Sequence, residues 1–165
     1  MESERLEVER LIPASASAIF EVLRSPQGHV SIDSTGMLMS ADGKPATRAG
    51  DTFVVHMDRD ALRDYPLELY EITVSFTRFE QDQAIEWTVL SDFLDPPLGH
   101  VYGYRLAPAD GGTLVTSYYD WSGLNDRYRG RIGFPIISET ALRATLGILA
   151  RTVAPGVPRP IAPTR

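Results

Sequence analysis

The chain has 165 residues, the size of one domain, and its 43% hydrophobic and 23% charged residues are typical of a globular protein rather than a disordered or fibrous one. Its 16 basic and 22 acidic residues give a net charge of −6, which disfavours nucleic acid and anionic membrane surfaces as partners. The lack of cysteine excludes disulfides, thiolate metal sites and a cysteine nucleophile.

The two ends of the chain predict its organisation. The first ten residues are rich in charge where a secretory signal needs an apolar run, and no stretch is apolar enough to span a bilayer. We therefore expect a cytoplasmic protein without membrane insertion. Four prolines between positions 154 and 163 prevent a helix, so a single domain at 1–153 and a Pro-rich tail at 154–165 are predicted.

The first predicted element is a half-buried strand over residues 4–12, in which Leu6 and Val8 alternate with charged residues. Arg10 falls on the apolar side of this strand. A charge buried there needs a carboxylate partner or an anionic group of a ligand. Asp120 is a candidate partner if a bulge shifts the last strand, whereas a strand that ends early leaves Arg10 at a solvated edge.

A short helix is predicted after Pro13, with Ser15 or Ser17 as its N-cap. The sequence Ser-Pro-Gln-Gly at 25–28 is expected to stop this helix. Residues 29–50 show no clean periodicity, and only short or irregular strands are expected there.

Three segments with clear alternation follow, at residues 52–58, 69–79 and 85–89. Each has one apolar and one polar face, which is typical of strands that cover a core on one side only. His56 falls on a polar face and is expected to be solvated.

A hairpin is predicted from residues 100–106 and 113–121, with a two-residue type I′ turn at Asp110 and Gly111. That register pairs the residues of one face, Leu106 with Val115, Tyr104 with Ser117, Tyr102 with Tyr119 and His100 with Trp121. A one-residue bulge would instead turn Tyr118 and Asp120 towards that face.

The last predicted element is an amphipathic helix over residues 138–153, with Leu142, Leu146 and Leu149 on one side. The predicted order is therefore a strand, a short helix, five or six antiparallel strands and one long helix, which is an α+β arrangement. The long helix is the obvious cover for the apolar face of the sheet. A curved sheet around one helix leaves space for an internal apolar cavity.

With these elements in place, the chain resembles the START-like, or SRPBCC, superfamily of polyketide cyclases and dehydrases, lipid-transfer domains and birch-allergen-like proteins. The resemblance spans residues 4–153 and rests on the order of three motifs: Pro-Ala-Ser-Ala-Ser-Ala-Ile-Phe at 13–20, Gly-Gly-Thr-Leu-Val-Thr at 111–116 and Tyr-Asp-Trp-Ser at 119–122. It implies a helix-grip fold with an internal pocket for a hydrophobic small molecule, and in some branches an enzyme.

If the apolar faces line such a pocket, the residues that decorate it are Arg10, Tyr70, Trp87, His100, Tyr102, Tyr104, Ser117, Tyr119 and Trp121. Aromatic walls suit a flat or ring-containing ligand, and phenol hydroxyls can orient it by hydrogen bonds. The alternative is that these side chains fill a solid core.

His100 is predicted at the pocket mouth, where it can act as a general acid or base or simply form a hydrogen bond at a strand end. The three histidines lack a metal-ligand spacing and no nucleotide-binding motif occurs, so neither a metal nor another cofactor is expected. The segment at 92–99, with two adjacent prolines, is either a gate at the cavity entrance or a rigid connection.

The leading functional hypothesis is non-covalent binding or transport of a small hydrophobic ligand such as a lipid, a polyketide or a quinone-like compound. The first alternative is a cyclase or dehydratase in which His100 or a tyrosine moves protons and Arg10 holds an oxyanion. The second is a protein-interaction or co-chaperone role, which an exposed apolar patch outside the cavity would support. Both a monomer and a homodimer are compatible with the sequence.

Overall fold

The computed structural model describes residues 3–160, which form one antiparallel sheet of seven strands with helices against one face. The strands are β1 (Arg5–Ile12), β2 (Leu38–Asp42), β3 (Thr52–Asp58), β4 (Leu69–Glu80), β5 (Ala84–Leu90), β6 (Val101–Ala109) and β7 (Gly112–Asp120). The α-helices are α1 (Ala16–Leu23), α2 (Pro26–Ile32) and α3 (Glu139–Val153).

The strand order in the sheet is β1-β7-β6-β5-β4-β3-β2, so each strand from β2 to β7 lies beside its neighbour in the chain. β1 alone crosses the molecule to pair with β7, with Val8 opposite Ser117. This pairing brings α1 and α2 across the sheet, and α3 then packs against β1, β7 and both shorter helices. The α+β prediction of a sheet wrapped around a long C-terminal helix is confirmed.

The expected stop of the first helix at residues 25–28 is confirmed, because α1 ends at Leu23. A second helix, α2, starts at once at Pro26 and runs to Ile32, where the sequence predicts only short or irregular strands from residue 29 onwards. Ser25 is the N-cap, and its hydroxyl accepts a hydrogen bond from the backbone N–H of Gly28, while Pro26 occupies the first turn. A Ser-Pro pair ends one helix and starts the next equally well, since proline lacks an N–H and favours the first helical position. Gly28 permits the close packing of α1 on α2, because a Cβ there would lie 1.9 Å from the carbonyl oxygen of Val22.

The predicted hairpin register is confirmed, with Tyr104 opposite Ser117 and Tyr102 opposite Tyr119. The type I′ turn is wrong: Gly111 has a positive φ of 87°, but Asp110 is not among the residues with positive φ. Glycine alone therefore supplies the left-handed conformation that the turn requires.

α3 matches the predicted helix. The hydroxyl of its N-cap, Ser138, accepts a hydrogen bond from the N–H of Ala141. Its buried side is formed by Leu142, Leu146, Leu149 and Ala150.

The division of the chain at residue 153 stays a prediction. The helix ends at Val153, the described chain continues to Pro160, and residues 161–165 of the predicted tail lie outside the described residues. Within residues 3–160, no helix has both the length and the hydrophobicity needed to cross a bilayer.

Candidate functional site

A cavity of about 390 Å³ lies between the sheet, α2 and the first half of α3. Most of its wall is apolar, and the sheet and α3 contribute Val55, Met57, Ile72, Val74, Val89 and Leu142. All of these side chains except that of Leu142, which lies on α3, come from the alternating faces of β3, β4 and β5. This explains why a sequence with period-two patterning encloses an apolar space.

One wall of the cavity is a stack of aromatic rings on β5, β6 and β7. The ring of Trp87 stacks on Tyr102 at 5.9 Å and on Tyr104 at 5.8 Å between centroids. The stack continues from Tyr102 to Tyr119 at 4.5 Å and on to Trp121 at 5.4 Å. Trp87, Tyr102 and Tyr104 line the cavity, whereas Tyr119 and Trp121 extend the stack in the core beside it.

His100 is the most polar buried group in this wall. Its side chain is only 3% exposed, and its Nδ1 forms a hydrogen bond of 2.8 Å with the hydroxyl of Tyr119. Its Nε2 is buried without a hydrogen-bond partner among the described residues. Burial lowers the pKa of His100 to about 4, so the imidazole is neutral at neutral pH. Nε2 is thus a hydrogen-bond donor or acceptor, depending on the tautomer that Tyr119 selects.

The phenol groups near His100 are also uncharged. Burial raises the pKa of Tyr102, Tyr104 and Tyr119 well above the ordinary value. Ser117, 2% exposed, lies opposite Tyr104 across the hairpin and adds a hydroxyl to the same wall. The polar surface of the cavity therefore consists of neutral hydrogen-bonding groups in this region.

A charged group lies at the other side, where the exposed side chains of Tyr65 and Phe93 mark the opening to the surface. Arg59, 9% exposed, donates to both carboxylate oxygens of Asp64 at 2.7 Å and to the hydroxyl of Tyr70 at 3.2 Å. The hydrogen bonding to Asp64 is the largest contribution to a raised pKa of Arg59, and the hydrogen bond to Tyr70 adds to it. Phe93 packs edge-on against Tyr70 at 5.8 Å, so Phe93, from the segment predicted as a gate or connection, packs at the opening.

Among the buried polar residues of the cavity lining, sequence reasoning missed two, Arg59 and His29. Arg59 continues the alternation of Val55 and Met57 and thus falls on the apolar face, the same signal that singled out Arg10. His29 lies in α2, in a segment without strand periodicity, and its Nε2 donates to the carbonyl of Leu23 at 2.8 Å.

The structure separates the predicted site residues into two groups. The cavity lining includes Tyr70, Trp87, His100, Tyr102, Tyr104 and Ser117, and leaves out Arg10, Tyr119 and Trp121. Arg10 lies under α3 at a different, smaller cavity. Asp120, the candidate partner of Arg10, instead accepts a hydrogen bond of 2.9 Å from Arg5.

The acidic residue that lines the described cavity is Asp33, and its carboxylate is already engaged. Its oxygens accept hydrogen bonds from the backbone N–H groups of Thr35, Gly36 and Leu38. Among residues 3–160, no three histidine or acidic side chains converge in a way that would hold a metal ion.

No protein-family model and no curated protein matches the chain. Solved structures share its fold. Protein CV1439 from Chromobacterium violaceum is 14% identical with a TM-score of 0.65, over 92% of this chain and 98% of that one. An AHSA1-like protein from Aeromonas hydrophila is 16% identical with a TM-score of 0.57, over 90% and 91%. The Aha1 dimer from Colwellia psychrerythraea is 14% identical with a TM-score of 0.59, over 93% and 98%. At these identities the similarity establishes the helix-grip fold.

Proposed function

We propose that this protein binds a small hydrophobic molecule with one neutral polar group, non-covalently, in the cavity between its sheet and α3. The observation that carries the proposal is an apolar cavity of about 390 Å³ whose lining includes His100, a buried imidazole with no partner for its Nε2 among the described residues. Small-molecule sites commonly have volumes of about 300–1,000 Å³ and an apolar lining with few polar groups. The resemblance to START-like proteins supports the same function.

The chemistry of the wall favours a flat ligand that carries a hydroxyl or a carbonyl. Trp87 and Tyr102 line the cavity as part of the aromatic stack, and an aromatic wall packs well against a planar ring. His100 is neutral and offers one hydrogen bond. Burial of the ligand's apolar surface provides the driving force, at about 25 cal/mol per Å², and His100 fixes its orientation.

Obstruction of the cavity tests the proposal most directly. Ile72→Trp places a large side chain into the cavity, whereas Thr73→Trp adds the same group to the opposite face of β4. Native mass spectrometry of the three proteins shows whether a molecule of a few hundred daltons co-purifies, and titration with 2-naphthol measures binding of a planar alcohol. We expect binding by the wild type and Thr73→Trp and a loss with Ile72→Trp. Equal binding by all three proteins would place the ligand elsewhere.

The role of His100 is tested with a pair of probes. One net hydrogen bond of about 0.5–1.5 kcal/mol corresponds to a preference of about twofold to thirteenfold for 2-naphthol over naphthalene. His100→Phe keeps the ring and removes the polar atom, so this preference should disappear while naphthalene still binds. A preference that survives in His100→Phe would assign the hydrogen bond to another residue.

Of the two alternatives, a cyclase or dehydratase has weaker support. The partner of His100 is the phenol of Tyr119 rather than a carboxylate, and both groups are neutral. Arg10, the predicted oxyanion holder, does not line the cavity. A protein-interaction role would use exposed apolar residues. Tyr65 and Phe93 belong to the cavity lining and are explained by ligand entry, whereas the exposed Met39, Leu62 and Leu69 lie outside it and are the residues such a role would use.

A further inference from the structure

A second cavity, of about 110 Å³, lies at the far end of α3 and shares no lining residue with the large one. It is formed by the end of β1, the second half of α3 and the chain that follows this helix. Three arginines line it, Arg10 from β1, Arg151 from α3 and Arg159 from the chain after the helix. No acidic residue is among the described residues that line it.

Arg10 is the charged residue that has a buried side-chain nitrogen without a partner among residues 3–160. Its Nε is buried without a hydrogen-bond partner, and its Nη1 lies 3.6 Å from the position that a Cβ of Gly147 would occupy in α3. The guanidinium forms no ion pair within residues 3–160, whereas Arg5 and Arg59 are both paired with aspartates. A buried cationic nitrogen without a partner is costly, which indicates that an anion completes the site.

The other two arginines reinforce this conclusion. Neither Arg151 nor Arg159 forms an ion pair or a side-chain hydrogen bond with any part of the chain that the structure describes, and both are exposed. The negative end of the α3 dipole favours positive charge near it and contributes to the placement of Arg151, which lies in the last helical turn. Three positive side chains from three elements thus share one small cavity in a protein of net charge −6.

We propose that this second cavity is a binding site for a tetrahedral oxyanion, a phosphate group that is either free or part of a small phosphate ester. Guanidinium groups form directed, charge-assisted hydrogen bonds to phosphate oxygens. A tetrahedral anion offers oxygens in several directions, which suits donors that arrive from β1, from α3 and from the chain after it. A planar carboxylate presents its two oxygens on one side only.

The test is an NMR titration of the full chain with inorganic phosphate and, separately, with glycerol 3-phosphate, at ionic strength held constant with sodium chloride. Saturable shifts of the Arg10 side-chain N–H and of the Gly147 and Gly156 amides are expected with one or both anions. A response to phosphate alone identifies a site for the free anion, and a response to the ester shows that a substituted phosphate fits. No saturable shift with either anion would overturn the proposal.

Three variants that each remove one positive charge give the matched comparison. Arg10→Gln and Arg159→Gln should each weaken phosphate affinity at least tenfold. Arg131→Gln, at an exposed arginine outside both cavities and without an ion pair in the described chain, should change it less than twofold. Arg159→Gln keeps the test valid if Arg10→Gln fails to fold, because Arg159 is exposed. An equal loss of phosphate affinity in Arg131→Gln would show that the effect comes from net charge alone, and would refute a specific anion site at the second cavity.

Discussion

The two buried histidines predict that this protein loses stability in mild acid, well before its carboxylates are protonated. Burial lowers the pKa of both His29 and His100 from 6.5 to about 4 in the folded protein. Between these values the unfolded chain binds two protons that the folded chain does not bind. Because the unfolded state binds more protons, the free energy of unfolding falls as the pH falls through this window.

The magnitude follows from the two pKa values. A histidine whose pKa drops from 6.5 to about 4 on folding contributes a loss of about 2 kcal/mol between pH 7 and pH 5. The two histidines together contribute about 4 kcal/mol, a large part of the stability of an ordinary domain. Urea unfolding of ligand-free protein, followed by fluorescence at several pH values in this range, measures the loss.

Variants isolate the contribution of each ring. His100→Phe and His29→Phe should each remove about half of the pH-dependent loss, whatever their effect on stability at pH 7. His56 is the control, because its hydrogen bond to Asp42 raises its pKa on the exposed face of the sheet. A histidine with a raised pKa stabilises the folded protein at low pH and loses that effect as the pH rises. His56→Gln should therefore leave the decrease in the free energy of unfolding between pH 7 and pH 5 at least as large as in the wild type. An unchanged slope in His100→Phe and His29→Phe would refute the reasoning.

Two further pairs of variants test packing by urea unfolding. Gly28→Ala forces a Cβ to within 1.9 Å of the Val22 carbonyl oxygen and should lower the free energy of unfolding by at least about 3 kcal/mol. Its control is Gly133→Ala, where a Cβ meets nothing within 4 Å and the free energy of unfolding should change by less than about 0.5 kcal/mol. Leu149→Ala removes a fully buried side chain and should lower the free energy of unfolding by about 2–5 kcal/mol. Its control is Leu69→Ala, at a position that is 79% exposed, where the loss should be less than about 0.5 kcal/mol. Equal losses within either pair would contradict the packing described above.

Local patterning was sufficient to predict most of the sheet. The alternation in residues 52–58 matched β3 without error, because a strand that covers a core on one side must alternate. The hairpin register followed from the same rule, since a shift by one residue would turn Tyr119 away from the core. α2 was missed because its seven residues are too few to show a helical period and its start is identical to a stop signal.

The candidate site was predictable only in part. Alternation correctly assigns Tyr70, Trp87 and Tyr102 to the inner face, but it cannot show where along that face the space remains open. Tyr119 is as inward-facing as Tyr102 and yet lies in the packed core, because α3 and the chain before it close that end of the sheet.

The sequence by itself determined which residues face inward, since period two and period 3.6 are local properties of the backbone. It also marked Arg10 as a charge on an apolar face, and the alternation of Val55 and Met57, continued by two residues, places Arg59 on such a face as well. Only the tertiary structure decided their surroundings: Arg59 meets Asp64 at the mouth of the large cavity, and Arg10 lies under α3 without an acidic partner in the described chain. That difference depends on which distant segments cross each strand, and local patterning carries no information about such crossings.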